Sequence, residues 1–195
     1  MKATTCTKAI QNWELAHQGE SAQEAEIIKL NFQNPPIEKL ESNALNSLTK
    51  CRQLSLSTNC IEKMINLPNL RNLEILSLGR NNIKKIQGLE EVGQSLKQLW
   101  ISYNLIEKLD GLQPCVKLQV LYISANRIAK FDEVDKLKEN PELETVSLVG
   151  NIMYDGKDKD TCSAIVYKKI PSLKNIDGSL VVELLKRAKV DADAQ

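Results

Sequence analysis

A chain of 195 residues is long enough to bury one sizeable core, and its 42% hydrophobic and 26% charged residues are ordinary for a soluble protein. A net charge of +1 exerts no overall pull on nucleic acid or membrane, and neither is expected as a partner. No apolar run reaches the roughly 20 residues of a membrane-spanning helix, and the first residues lack the apolar segment of a signal peptide, which points to a cytosolic protein.

The elements begin with a predicted helix from about Thr4 to Ala16. Ala9, Ile10, Trp13 and Ala16 fall at helical spacing, and His17-Gln18-Gly19 ends the run. Trp13 is expected to cover an open end of the core rather than to anchor a partner. Ile28-Lys29-Leu30 and Ile37-Glu38-Lys39-Leu40 follow as a degenerate copy of the pattern described next. It carries Gln33 where later copies carry asparagine, and Pro35 and Pro36 bend the chain. Ala44, Leu45 and Leu48 read as its helical return.

From residue 51 one frame recurs, clearest between Leu96 and Leu112: LxxLxLxxNxIxxLxxL, the leucine-rich repeat pattern. It runs through Cys51, Leu54, Leu56, Asn59 and Ile61, then Leu73, Leu76, Leu78, Asn81 and Ile83. It returns at Leu118, Leu121, Ile123, Asn126 and Ile128, and last at Leu143, Val146, Leu148, Asn151 and Met153. The asparagines step by 22, 23, 22 and 25 residues. The LxL core predicts a short strand with its leucines inward, and stacked copies predict a parallel sheet on one face of a solenoid with helical or 3₁₀ returns on the other. Asn59, Asn81, Asn104, Asn126 and Asn151 are expected to form an internal structural ladder, because an amide both donates to and accepts from the backbone of a buried bend.

The longer step before Asn151 leaves room for a fuller return helix, about Asp132 to Glu139, stopped before Pro141. Asp155-Gly-Lys-Asp-Lys-Asp160 reads as a solvated loop without the glycine and glutamate of a calcium loop. A helix is predicted from Thr161 to Ile170 with Ile165, Val166 and Ile170 inward. Pro171 to Asp177 follows as a repeat cap, and an amphipathic helix from about Leu180 to Lys189 carries Lys186, Arg187 and Lys189. The organisation expected is an N-terminal capping helix in residues 1–25, about six repeats in 26–153, a cap in 154–178, and a helix with a polar tail in 179–195.

Candidate chemistry is sparse. The one histidine, His17, lies outside the repeats, and no phosphate-binding glycine loop or HExxH zinc motif occurs. Five cysteines without a CxxC pair give neither a disulfide framework nor a zinc site. No enzyme activity, metal, cofactor or small-molecule substrate is expected. Binding surfaces are easier to find. The outward strand positions include Ile75, Ser77, Gln98, Trp100, Val120, Tyr122, Thr145 and Ser147, an aromatic and aliphatic patch with a polar rim that fits a protein-binding hot spot. The alternative is cross-strand packing that merely stabilises the sheet. Lysine also recurs two residues after each repeat isoleucine, at Lys39, Lys63, Lys85, Lys108 and Lys130. This edge row is either a solubility device blunted by Glu38, Glu62 and Glu107, or a track for an acidic partner.

Longer strings are more specific. Leu54-Ser-Leu-Ser-Thr-Asn-Cys-Ile-Glu-Lys63, Leu76-Ser-Leu-Gly-Arg-Asn-Asn-Ile-Lys84 and Leu99-Trp-Ile-Ser-Tyr-Asn104 are joined by Ala9-Ile-Gln-Asn-Trp-Glu14 and Pro35-Pro-Ile-Glu-Lys39. Together they resemble the leucine-rich-repeat light chains of axonemal outer-arm dynein, in the SDS22-like repeat class. The resemblance implies a cylindrical, barrel-like solenoid located in the ciliary axoneme. It implies a non-catalytic subunit that binds a dynein heavy chain at the microtubule-binding head of its stalk, can contact tubulin, and modulates the motor. Carried onto this chain, Trp100, Tyr122 and their neighbours would meet the heavy chain. Lys186, Arg187 and Lys189 match a basic C-terminal helix, and of the edge row Lys63, Lys85, Lys108 and Lys130 would face tubulin if the row is a track rather than a solubility device. The alternative within the repeat class is a phosphatase-regulatory protein.

Overall fold

The computed structural model describes residues 2–186. Its backbone is one sheet of eight short strands in sequence order. They are β1 (Ile27–Lys29), β2 (Gln53–Ser55), β3 (Ile75–Ser77), β4 (Gln98–Trp100), β5 (Val120–Tyr122), β6 (Thr145–Ser147), β7 (Asn175–Ile176) and β8 (Ser179–Leu180). The first seven run parallel, and β8 turns back antiparallel to β7. No strand slips in register: Leu54, Leu76, Leu99, Leu121 and Val146 stand opposite one another, all within the core. Each strand thus hands its one inward side chain to the same layer of a continuous core. β1 and β8 lie at opposite edges of the sheet, so the solenoid is open and the barrel-like closure is not formed.

The helix α1 (Cys6–Ala16) starts at Thr5, whose hydroxyl accepts from the Lys8 N–H at 3.1 Å, and buries Cys6, Ala9 and Trp13. Trp13 stacks on His17 with ring centroids 4.0 Å apart, and His17 closes the helix by bonding the Trp13 carbonyl through Nδ1 at 2.7 Å. A single turn, α2 (Ser42–Leu45), packs against α1. Gln33 does not act as the ladder residue of the first copy: its Nε2 donates to the Asn31 carbonyl two residues away.

The middle returns are bare turns that approach one another closely. Gly88 and Gly111 have φ of +74° and +93°, and a Cβ on Gly111 would lie 2.2 Å from the Ile86 carbonyl oxygen. The fuller return before β6 is a 3₁₀ helix, Phe131–Glu139, rather than an α-helix. Its Glu133 carboxylate is held from two sides, accepting from the Leu109 N–H of the preceding return at 2.9 Å and from Lys136 of the same helix at 2.7 Å. The helix α3 (Lys159–Lys169) begins two residues earlier than Thr161, because Asp158 caps it by accepting from the Thr161 N–H at 2.8 Å. Val166 and Ile170 are buried and Ile165 half-buried.

The five asparagines each clasp the preceding turn. Asn104 Oδ1 accepts from the Ile83 N–H at 2.9 Å, and its Nδ2 donates to the carbonyls of Leu78 at 3.0 Å and Ile101 at 3.1 Å. Asn59, Asn81, Asn126 and Asn151 repeat this set with Ile37, Ile61, Ile106 and Ile128. After Asn151 the part of a next repeat is played by Asp177, which is buried. Its carboxylate accepts from the N–H groups of Leu148 at 2.6 Å and Val149 at 2.9 Å, and from the Tyr154 hydroxyl at 2.6 Å. Elsewhere in the sheet the equivalent donor, such as the Ile123 N–H, meets a carbonyl of the following strand.

Candidate functional site

Strands β2 to β6 turn two side chains each away from the core. One row is Gln53, Ile75, Gln98, Val120 and Thr145. The other is Ser55, Ser77, Trp100, Tyr122 and Ser147. Ile75, Gln98, Trp100, Val120, Thr145 and Ser147 are half-buried, while Tyr122 is 39% exposed. The Trp100 and Tyr122 rings are neighbours in register, 6.1 Å between centroids and tilted by 38°. Gln98 orients the indole, whose Nε1 donates to its Oε1 at 3.2 Å. The pair is therefore both packed and presented: it stabilises the sheet and leaves aromatic area in solvent.

Ser77 departs from the expected exposure. It is 7% exposed, because its small side chain stands beside Trp100 in register and its hydroxyl is bonded to Ser57 at 2.6 Å. It supports the floor of the face instead of offering a contact. Ser147 is held similarly by Ser124, also at 2.6 Å.

A rim that the sequence pattern did not single out borders this face. The residue before each ladder position has a left-handed backbone: Phe32, Thr58, Arg80, Tyr103 and Ala125 have φ between +51° and +58°, and Gly150 follows suit. Such a conformation costs a side-chain-bearing residue roughly 1–2 kcal/mol. It aims the side chain out of the turn. Phe32 is 75% exposed and Tyr103 54% exposed, with the Arg80 guanidinium 4.4 Å above the Tyr103 ring. Their positions read as variable ones in the repeat template, so the available signal was an aromatic placed where the core cannot use it. Along the strand and rim positions the exposed charges are Lys29 and Arg80, while Asp177 is buried.

The lysine row is exposed at all five positions, Lys39, Lys63, Lys85, Lys108 and Lys130. No ion pair joins any of these lysines to Glu38, Glu62 or Glu107, since the described ion pairs lie elsewhere. At the C-terminal side, residues 181–186 are helical: Val181 is buried, Leu184 packs on the core, and Val182, Leu185 and Lys186 are exposed. Arg187 and Lys189 lie outside the described residues.

Burial governs the thiols. It pushes Cys6 and Cys51 up to about 11 and Cys115 to about 12. Those thiols stay protonated near neutrality, which is the behaviour of core residues. Among the described residues no group of three or more His, Cys, Asp or Glu side chains could hold a metal ion, and no helix is long and apolar enough to cross a membrane. What the face offers is aromatic area, hydroxyls and two cations on a rigid sheet, an arrangement suited to recognising another protein.

Residues 94–139 match the family model described as leucine-rich repeats in two copies. The chain is 54% identical over 183 residues to dynein axonemal light chain 1 of Homo sapiens, covering 93% of this chain and 95% of that protein. It is 50% identical over 181 residues to dynein axonemal light chain 1 of Chlamydomonas reinhardtii, covering 91% and 90%. Among solved structures, an internalin of Listeria monocytogenes superposes with a TM-score of 0.57 at 20% identity, covering 74% of this chain and 39% of that one. The leucine-rich repeat domain of APL1B gives 0.57 at 24% identity, with 77% and 44% covered. At these identities the two structures speak for the fold alone.

Proposed function

The chain belongs to the family of dynein axonemal light chain 1, and from that premise we propose that it is a non-catalytic light chain of the ciliary axoneme. It binds a dynein heavy chain at the microtubule-binding head of the stalk through the outward face of β3 to β6, and thereby modulates the outer-arm motor. The observation that carries this reading is the Trp100–Tyr122 pair, set on five strands in common register and left partly in solvent. Val120, Ile75 and the rim residue Tyr103 extend the apolar area. With Arg80 as the exposed charge at its rim, the face favours a partner segment that is apolar at its centre and acidic at its margin.

The test is a double substitution, Trp100→Ala with Tyr122→Ala, measured by calorimetry against an isolated stalk head. Truncated hot-spot aromatics cost upwards of about 2 kcal/mol each, so binding should weaken by more than about a hundredfold while the circular dichroism spectrum is kept. Unchanged binding moves the interface off this face. Capture of a phosphatase catalytic subunit from ciliary extract in place of a heavy chain would replace the reading altogether.

A second contact, with tubulin, is supported by the exposure of Lys63, Lys85, Lys108 and Lys130, none of which has an ion-pair partner among the described residues. Exposed cations remain available to an acidic surface.

A further inference from the structure

A different surface carries an inference that stands apart from the heavy-chain reading. A groove of about 740 Å³ runs beside the N-terminal ends of β1 to β5, where successive repeats present Glu26, Arg52, Glu74 and Lys97 in a line of alternating sign. Glu74 sits between two cations, 2.7 Å from Arg52 and 3.1 Å from Lys97, and Arg52 also reaches Glu26 at 3.6 Å. These cations hold the Glu74 carboxyl below its usual range, chiefly through the hydrogen bonds from Arg52 and Lys97. The fold therefore already shows how this edge seats a carboxylate.

The line is flanked by cations that it does not consume. Lys50 pairs outside the groove, with Glu24 at 2.5 Å. Arg71 and Lys117 are exposed, line the groove, and have no ion-pair partner among the described residues. With Lys50 set aside, four cations, Arg52, Arg71, Lys97 and Lys117, face two carboxylates along the groove. It crosses about four strand spacings, which at roughly 4.8 Å each is close to 19 Å. That length suits an extended chain more than a single small anion.

We propose that this groove binds an extended, glutamate-rich peptide segment of a partner protein, whose carboxylates meet Arg71 and Lys117 as Glu74 meets Arg52 and Lys97. Two features disfavour nucleic acid. The lining contains no aromatic ring on which a base could stack, and its two fixed carboxylates repel a continuous phosphate chain. They tolerate a peptide, whose charges can be spaced around them.

Fluorescence anisotropy of a labelled polyglutamate peptide tests this on the whole chain. The parent protein should bind it at low salt. Binding should fade as the Debye length shrinks from about 10 Å at 0.1 M to about 3 Å at 1 M. Arg71→Glu with Lys117→Glu should weaken it on the order of tenfold or more through like-charge repulsion. Both side chains are exposed and unpaired, so the fold should be kept, and circular dichroism checks that. Lys8→Glu with Lys168→Glu, exposed positions on α1 and α3 outside the groove lining, makes the same change in net charge and should leave it within about twofold. Trp100→Ala with Tyr122→Ala should also leave it unchanged, so a failure of the heavy-chain reading is told apart from a failure here. Equal affinity for the Arg71/Lys117 variant overturns the proposal. So does an equal loss in the Lys8/Lys168 variant, which would reduce the effect to net charge. Tighter binding of inorganic tripolyphosphate than of the peptide, through the same two residues, overturns it as well.

Discussion

At the scale of single residues the chain depends on buried amides that each make at least three hydrogen bonds. Removing the Asn104 side chain leaves the Ile83 N–H and the carbonyls of Leu78 and Ile101 without that partner, in a place water does not reach. Asn104→Ala should therefore destabilise by about 1–3 kcal/mol, the range for unpaired buried polar groups. Urea denaturation reads this as a lower midpoint with an unchanged slope. A midpoint equal to that of the parent would mean that the neighbouring carbonyls and N–H groups re-pair without the amide. Asp177 shows the limit of reading such roles from letters. As a single aspartate among 25 acidic residues it carries no motif, and its task exists because no further copy of the repeat follows Asn151 to supply a carbonyl to Leu148, as Ser147 does to Ile123.

At the scale of elements, the strands were legible because their signal is spacing rather than composition. Three-residue strands centred on Leu54, Leu76, Leu99, Leu121 and Val146 lie where the LxL frame puts them. The returns were less legible. Nothing in Phe131-Asp-Glu-Val-Asp-Lys-Leu-Lys-Glu139 distinguishes a 3₁₀ from an α-helix. The choice follows from the space between neighbouring repeats and from bonds such as Glu133 to the Leu109 N–H. Exposure of Phe32 and Tyr103 was hidden for a related reason: the fold imposes the left-handed turn whatever residue occupies it, from Thr58 to Gly150. Where two returns nearly touch, substitution should be severe. Gly111→Ala places a methyl group 2.2 Å from the Ile86 carbonyl and asks an alanine to hold φ at +93°. A loss of about 2 kcal/mol or more is expected from the combined strain and overlap. Thermal melts of Gly111→Ala beside Gly19→Ala separate the two contributions, because a Cβ on Gly19 meets nothing within 4 Å although its φ is +83°. Equal losses at both sites would show that the close approach costs nothing.

For the whole molecule, the continuous core links stability to pH on the alkaline side. Cys6 and Cys51 are pushed by burial from 9.0 to about 11 and Cys115 to about 12, and Tyr154 is raised by burial first and then by the Asp177 carboxylate. A raised folded value means that the folded state holds its proton more tightly than the unfolded chain. The stabilisation is whole below about pH 9 and is lost as pH climbs from there through 12. The urea midpoint should accordingly fall between about pH 7.5 and pH 10.5. A flat profile would contradict the burial of these groups. The arrangement of surfaces was only half visible in the sequence. The strand face and the lysine edge repeat with the frame and can be read from it. The groove beside the strand starts joins residues such as Arg71 and Lys117 that occupy no matching place in the pattern, and becomes evident once the turns are stacked.

The backward reach of the ladder gives the solenoid a direction in time. Asn59 clasps Ile37, Asn81 clasps Ile61 and Asn104 clasps Ile83, so every turn is locked by the one made after it. During synthesis the N-terminal turns leave the ribosome first, and each waits, with its buried N–H unmet, until about one further repeat has emerged. The newest turn is always the unfinished one. A messenger that stops early between two repeats would therefore yield a product whose last turn lacks its lock, a ready mark for the quality control of the cell. A product shortened by whole repeats at its N-terminal side would instead strand its first asparagine, as Asn59 would be stranded without the Ile37 N–H and the Leu30 carbonyl.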